Sequence, residues 1–204
     1  MATAATMTTR DDLEASHDDP GHSQDNSRLG ALIFLMAGVM FFAGLVGGFV
    51  VLRFSGITWP APGMPHLPVR LAGFNTVVIL LSSLAMRRAV RAMRTLDAVG
   101  LRRGLVLAAA LGVAFLSLQA LQWRRLLALG LGPAATTYGS TFYLLTGAHA
   151  LHATSGVIWL LAIAIRQREL WVPETRRRGI EVCALYWHFV GLVWVGLYFA
   201  LYLL

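Results

Sequence analysis

The sequence predicts an all-α, polytopic membrane protein, a bundle of five transmembrane helices. Of its 204 residues, 57% are hydrophobic and only 13% are charged, whereas a soluble domain carries about 25% charged residues. The hydrophobic residues are gathered into five runs suited to cross the ~30 Å hydrocarbon core as helices. The chain is therefore expected to divide into a disordered, acidic cytoplasmic tail, residues 1–28, and a membrane domain, residues 29–204.

The first predicted helix, residues 29–52, contains Gly44 and Gly48, whose spacing lets membrane helices approach closely. Residues 55–69 contain four prolines and are predicted to form an extended loop, with Trp59 at the membrane interface. The second helix covers about residues 71–86 and continues into a basic segment. The arginines of this segment are predicted to contact lipid headgroups: Arg87, Arg88, Arg91 and Arg94.

Asn75 and Thr76 lie near the start of the second helix and are predicted to bond to a neighbouring helix. The third helix is predicted over about residues 104–129, the fourth over 138–165 and the fifth over 181–204. The fourth and fifth helices carry polar and aromatic residues that a lipid-facing helix does not need. These are predicted to pack and hydrogen-bond between helices: His149, His152, Tyr186, Trp187 and His188.

The net charge of +7 is attributed to arginines that orient the protein in the membrane, and no nucleic-acid partner is expected. All seventeen basic residues are arginines, and they cluster at the ends of the predicted helices. With five crossings, thirteen of them fall on the side of the N-terminal tail and four on the other side. The positive-inside rule then places the N-terminus in the cytoplasm and the C-terminus outside the cell inner membrane.

No catalytic, cofactor-binding or metal site is predicted in this chain. Only four carboxylates lie beyond the tail, and all fall in loops or at helix ends, so a proton relay through the chain alone is not expected. Three histidines, His149, His152 and His188, could bind a metal or a haem, or could instead bond to neighbouring helices. Without carboxylates or cysteines to support ligation, the second interpretation is favoured.

Two segments together resemble a known family: YGSTFYLLTGAHALHATSGVIWL from residue 138 and YWHFVGLVWVGLYFALYLL from residue 186. They are similar to subunit III of the haem–copper terminal oxidases, and the resemblance extends over about residues 29–204. Five helices match the short form of that subunit. The resemblance implies a non-catalytic subunit of aerobic electron transport that packs on catalytic subunit I, binds phospholipid between its helices and stabilises proton uptake. Haem and copper are then expected in the partner subunit.

The sequence departs from the pattern of that family at acidic positions. Gly38 stands where the family has an acidic residue before the FF pair, and Gly191 stands where YWHFV is followed by aspartate. The glutamate expected farther along the second helix is also missing. These losses suggest a divergent branch, which leaves an accessory protein of a nitric oxide reductase as one alternative. A free-standing membrane transporter is an alternative of a different class. A haem-binding enzyme is a further alternative, and the electron donor, cytochrome c or quinol, is left open.

Overall fold

The computed structural model of the protein describes residues 20–55, 63–166 and 173–204. Within these ranges the chain forms five long helices, and each contains a segment apolar and long enough to cross a membrane. The predicted all-α fold with five spans is therefore confirmed. The elements are α1 (Pro20–Phe54), α2 (Val69–Arg94), α3 (Ala98–Ala128), α4 (Thr137–Arg166) and α5 (Glu174–Tyr198), which continues as a π-helical turn (Phe199–Leu203).

Three helices, α1, α3 and α5, begin six or more residues before their predicted starts. Residues 20–28 belong to α1, where a disordered tail is expected from the sequence; residues 1–19 lie outside the described ranges. Once a helix is nucleated in the membrane, each added residue costs little, so polar residues can extend it. The start of α3 has a specific cause, because the Asp97 carboxylate accepts a hydrogen bond from the backbone N–H of Gly100 at 2.9 Å and caps the helix. The start of α5 follows Pro173 directly.

The four helices α2 to α5 form the core of the bundle, and α1 lies at its periphery. α2 packs on α3 and α5, α4 packs on the same two helices, and α1 contacts α4 and α5. In the most apolar 18-residue stretch of α1 only 6% of the residues are buried, whereas in the corresponding stretch of α5 50% are buried. The fifth helix is thus the central one, and its side chains connect the other four.

The described part of the proline-rich loop is irregular, as the sequence predicts. Residues 64–68 have no regular secondary structure, and α2 begins directly after Pro68. Proline lacks the backbone N–H that a helix interior requires, so the helix starts only beyond the last proline. Trp59 lies outside the described ranges, and its predicted interfacial position stays a prediction.

Candidate functional site

Trp187 lies where four helices meet, and its indole is completely buried. Its Nε1–H donates a hydrogen bond of 3.0 Å to the hydroxyl of Ser82 on α2. That hydroxyl in turn donates to the backbone carbonyl of Ala108 on α3 at 2.7 Å. These two hydrogen bonds follow one another and join α5, α2 and α3 through a single residue of each.

Two glycines make the space for the indole of Trp187. A Cβ atom added to Gly156 of α4 would lie 2.7 Å from Cε3 of the indole. A Cβ added to Gly112 of α3 would lie 2.9 Å from Cη2. Since both distances are shorter than a normal carbon–carbon contact, a larger residue at either position would force the indole or a helix to move. We call Trp187, Gly112 and Gly156 the tryptophan slot.

Tyr186 connects α5 to α4 and α1. Its hydroxyl donates to the backbone carbonyl of His152 at 3.0 Å and lies 2.7 Å from the hydroxyl of Ser155. Its ring lies against Phe34 of α1, with 5.9 Å between the ring centroids, and near Trp159 of α4. The side chain of Tyr186 thus hydrogen-bonds to α4 and makes ring contacts with α1 and α4.

His188 connects α5 to α2, since its Nδ1 shares a hydrogen bond with the hydroxyl of Ser83. Both residues are half-buried. The contact is therefore between helices, and part of this polar pair faces away from the bundle. At membrane depth such a pair is costly to leave in contact with lipid chains alone.

His152 makes its hydrogen bond within α4 and not between helices. Its Nδ1 bonds to the backbone carbonyl of Ala148, one turn earlier, at 2.8 Å. The ring packs against Phe41 and Phe42 of α1 at centroid distances of 5.9 and 5.1 Å. His152 thus contacts α1 through its ring and bonds to the backbone of its own helix.

His149 is 1% exposed and lies among aromatic rings from three other helices. Its ring is 6.3 Å from Phe42 of α1, 5.8 Å from Phe115 of α3 and 5.1 Å from Trp194 of α5, measured between centroids. Neither ring nitrogen has a hydrogen-bond partner among the described residues. His149 thus packs between helices through its ring, and its predicted inter-helix role stays a prediction.

Further polar residues connect the helices beside His149. The Asn75 amide donates to the side-chain carbonyl of Gln119 at 3.4 Å, and Nε1–H of Trp194 donates to the hydroxyl of Thr76 at 3.0 Å. The predicted bonding of Asn75 and Thr76 to neighbouring helices is thus confirmed. Within the described ranges there is no group of three histidine, cysteine or acidic side chains that could hold a metal ion.

The basic residues of α2 lie at one end of the bundle. All four arginines that are predicted to contact lipid headgroups are exposed there, where charged side chains meet the membrane surface. Arg94 also lies 3.4 Å from the carboxylate of Glu181 on α5. Their contact with lipid headgroups stays a prediction. The residues concerned are Arg87, Arg88, Arg91 and Arg94.

Sequence reasoning missed Ser82 and the two glycines of the tryptophan slot. Small residues are enriched where membrane helices approach closely, and Gly112 and Gly156 carry that signal. However, the chain contains 20 glycines, and a glycine in the sequence does not indicate which side chain will occupy the space above it. Only the packing of α5 against α3 and α4 identifies Trp187 as that side chain.

The chain is similar to known proteins over most of its length. The family model described as "Cytochrome c oxidase subunit III" matches residues 7–204. A protein of Synechocystis sp. named cytochrome c oxidase subunit 3 is 34% identical over 190 residues, covering 93% of this chain and 80% of the relative. Proteins of the same name from Corynebacterium diphtheriae and Thermostichus vulcanus are 33% and 30% identical, covering 85% and 91% of this chain and 86% and 92% of the relatives.

Proposed function

The chain belongs to the cytochrome c oxidase subunit III family, and we propose that it packs on the catalytic subunit of its complex and stabilises that subunit and its proton uptake. It is a non-catalytic subunit of a respiratory haem–copper oxidase, as the names of its relatives indicate. Association with other oxidase subunits follows from the family. The identity of the contacting subunit and the effect on proton uptake are the proposed part.

The observation that carries the proposal is the half-buried pair of Ser83 and His188. The pair uses one imidazole nitrogen, which leaves the other available for a further contact. Lipid chains offer no hydrogen-bonding group, so a polar surface of a partner protein would stabilise this side of α2 and α5 better than lipid does. A large catalytic membrane subunit would provide such a surface.

We infer that haem and copper reside in the partner and that this chain holds neither. The three histidines of α4 and α5 are separated by their contacts: His149 lies among aromatic rings, His152 bonds to its own helix and His188 bonds to Ser83. Ligation of a haem iron would require a histidine nitrogen directed at an open space for the macrocycle. Each of these three rings is instead packed against, or bonded to, another side chain or carbonyl.

The proposed location is the cell inner membrane, with the N-terminus in the cytoplasm. Five alternating spans place the end of α2, the start of α3, the end of α4 and the start of α5 on one side. The arginines are concentrated at these ends, and this asymmetry supports a cytoplasmic position. Phospholipid is the second proposed partner, in contact with the exposed arginines at the end of α2: Arg87, Arg88, Arg91 and Arg94.

Purification of the full-length chain in a mild detergent, with identification of the co-purifying chains, tests the proposal. We expect a catalytic subunit that carries haem and copper to co-purify in stoichiometric amount. The absorbance spectrum of the chain after separation from that partner should contain no Soret band. A pure homo-oligomer, or a Soret band stoichiometric with the separated chain, would contradict the proposal.

The purified chain also allows the two alternatives to be tested, one by its co-purifying partner and the other by a transport assay in vesicles. A nitric oxide reductase as the co-purifying partner would favour the accessory role there, and transport by the chain alone would favour the transporter. The relatives reported above carry the name of the oxidase subunit, which supports neither alternative.

A further inference from the structure

Three amide side chains of α2 and α3 lie together in the interior of the bundle: Asn75, Gln119 and Gln122. Each of them is at most 1% exposed. Asn75 donates to Gln119 across the two helices, and Gln122 lies about one turn farther along the same face of α3. Nε2 of Gln122 donates to the hydroxyl of Tyr202, in the π-helical turn, at 2.6 Å. We call the three side chains the amide cluster.

Each member of the amide cluster has one atom without a hydrogen-bond partner among the described residues. These atoms are Oδ1 of Asn75, Nε2 of Gln119 and Oε1 of Gln122. The bond between Asn75 and Gln119 is 3.4 Å long, against about 2.9–3.0 Å for an ordinary N–H···O bond, so the two amides are not drawn tightly together. Because buried polar atoms are costly to leave unpaired inside a membrane protein, a small polar molecule between them would stabilise the bundle.

The unpartnered atoms are two acceptors and one donor, and this combination selects the ligand. A water molecule can donate its two O–H groups to Asn75 and Gln122 and accept the N–H of Gln119. A metal cation could contact the two oxygens, but the N–H of Gln119 would repel it and the three neutral amides would not balance its charge. A larger solute does not fit, because Asn75 and Gln119 already contact each other.

An open pocket gives water a route to the amide cluster. The pocket has a volume of about 330 Å³ and lies where α2 and α4 begin, with Phe49, Tyr138 and Tyr202 in its lining. Since the hydroxyl of Tyr202 is bonded to Gln122, this side chain connects the pocket to the cluster. Asn75 is the sixth residue after the start of α2, about 9 Å along the helix, so the route from the membrane surface is short.

His149 also has unpartnered nitrogens, but its surroundings do not suit a bound water. Its ring is surrounded by those of Phe42, Phe115 and Trp194. A buried water requires about two to four polar partners, and aromatic rings offer only weak hydrogen bonds. The amide cluster, in contrast, offers three polar partners to one molecule.

We propose that the amide cluster is a binding site for one ordered water molecule, held by Asn75, Gln119 and Gln122 and exchanging with the aqueous phase through the pocket at Tyr202. The water joins α2 to α3 where direct contacts between side chains leave polar atoms unpaired. The tryptophan slot differs from this site, since its hydrogen bonds join the helices without a ligand.

Water-edited solid-state NMR of the full-length, isotopically labelled chain in lipid bilayers tests the site. Magnetisation is transferred from water, and the side-chain nitrogens that receive it are recorded. Nε1 of Trp194 is the internal control, because it is equally buried but bonded to Thr76, the residue next to Asn75, at 3.0 Å. Gln119→Met removes the amide and keeps the length of the side chain. Ser117→Ala is the matched control, since it removes an exposed hydroxyl of α3 that bonds to its own helix.

We expect magnetisation to reach the amides of Asn75, Gln119 and Gln122 earlier than Nε1 of Trp194. Gln119→Met should abolish the early transfer to the two remaining amides, and Ser117→Ala should leave it unchanged. Transfer in the wild type no earlier than to Trp194 would overturn the inference, and this comparison decides even where Gln119→Met does not fold. Early transfer retained in folded Gln119→Met, or lost in Ser117→Ala, would also overturn it. Because the chain is measured alone, these outcomes are independent of co-purification with the catalytic subunit.

Discussion

Replacement of Gly156 by alanine is expected to destabilise the bundle, although alanine is normally the better residue in a helix. The added methyl group would lie 2.7 Å from Cε3 and 2.8 Å from Cζ3 of Trp187. The indole cannot retreat easily, because Gly112 lies against its other end and its Nε1–H is bonded to Ser82. The methyl group must therefore displace either the indole or the contact between α4 and α5.

The expected change in the unfolding free energy is the sum of two opposing contributions. Overpacking of a core by one methyl group costs about 1–3 kcal/mol, whereas replacing glycine by alanine within a helix gains about 0.5–1 kcal/mol. Gly147→Ala is a matched control in the same helix, because a Cβ at Gly147 meets no atom within 4 Å. Since both variants share the gain in helix propensity, their unfolding free energies should differ by about 1–3 kcal/mol.

The assay is reversible unfolding of the purified chain by titration of detergent micelles with SDS, followed by far-UV circular dichroism. The Gly147→Ala variant should be as stable as the wild type or slightly more stable. The Gly156→Ala variant should unfold at a lower SDS fraction. Equal unfolding free energies for the two variants would refute the close packing of Trp187 against Gly156.

Three further predictions concern single side chains. His149→Phe keeps the ring contacts and removes two unpartnered nitrogens, so SDS titration should show an unchanged unfolding free energy or a gain of up to ~1–3 kcal/mol; a loss above ~1 kcal/mol would contradict this. His188→Leu removes the bond to Ser83 and should lower the yield of the assembled complex, while turnover per assembled complex is retained; normal yield with no turnover would contradict it. Arg94→Gln breaks an exposed ion pair with Glu181 and should change the unfolding free energy by less than ~1 kcal/mol in the same titration.

The number and the approximate positions of the helices could be predicted from the sequence, because hydropathy detects the part of a helix that lies in the hydrocarbon. The ends of the helices could not be predicted, since they lie where polar residues are favourable both in a helix and in a loop. α3 begins six residues before its predicted start because Asp97 caps it. α5 begins at Glu174, seven residues before its predicted start, in a polar segment with no hydropathy signal.

The candidate site was predictable as a set of residues but not as a set of contacts. Helical periodicity places His149 and His152 near one another on α4, yet one packs against rings of α3 and α5 and the other bonds to its own backbone. Which atoms lie opposite a side chain depends on how neighbouring helices are rotated, and a single sequence does not specify that rotation. Trp187 likewise depends on two glycines from distant segments, Gly112 and Gly156.

The two glycines that replace acidic residues of the family pattern differ in their surroundings and cannot be explained by one cause. A Cβ at Gly38 would lie 2.8 Å from Cζ of Phe189, so any larger residue there requires Phe189 to shift where α1 meets α5. A Cβ at Gly191 would only reach the hydroxyl of Ser83, at 4.0 Å, an ordinary contact. Glycine at position 38 is therefore tied to the close approach of α1, whereas at position 191 there is room for a side chain beside the pair of Ser83 and His188. Packing accounts for the first missing carboxylate, and nothing in the packing accounts for the second.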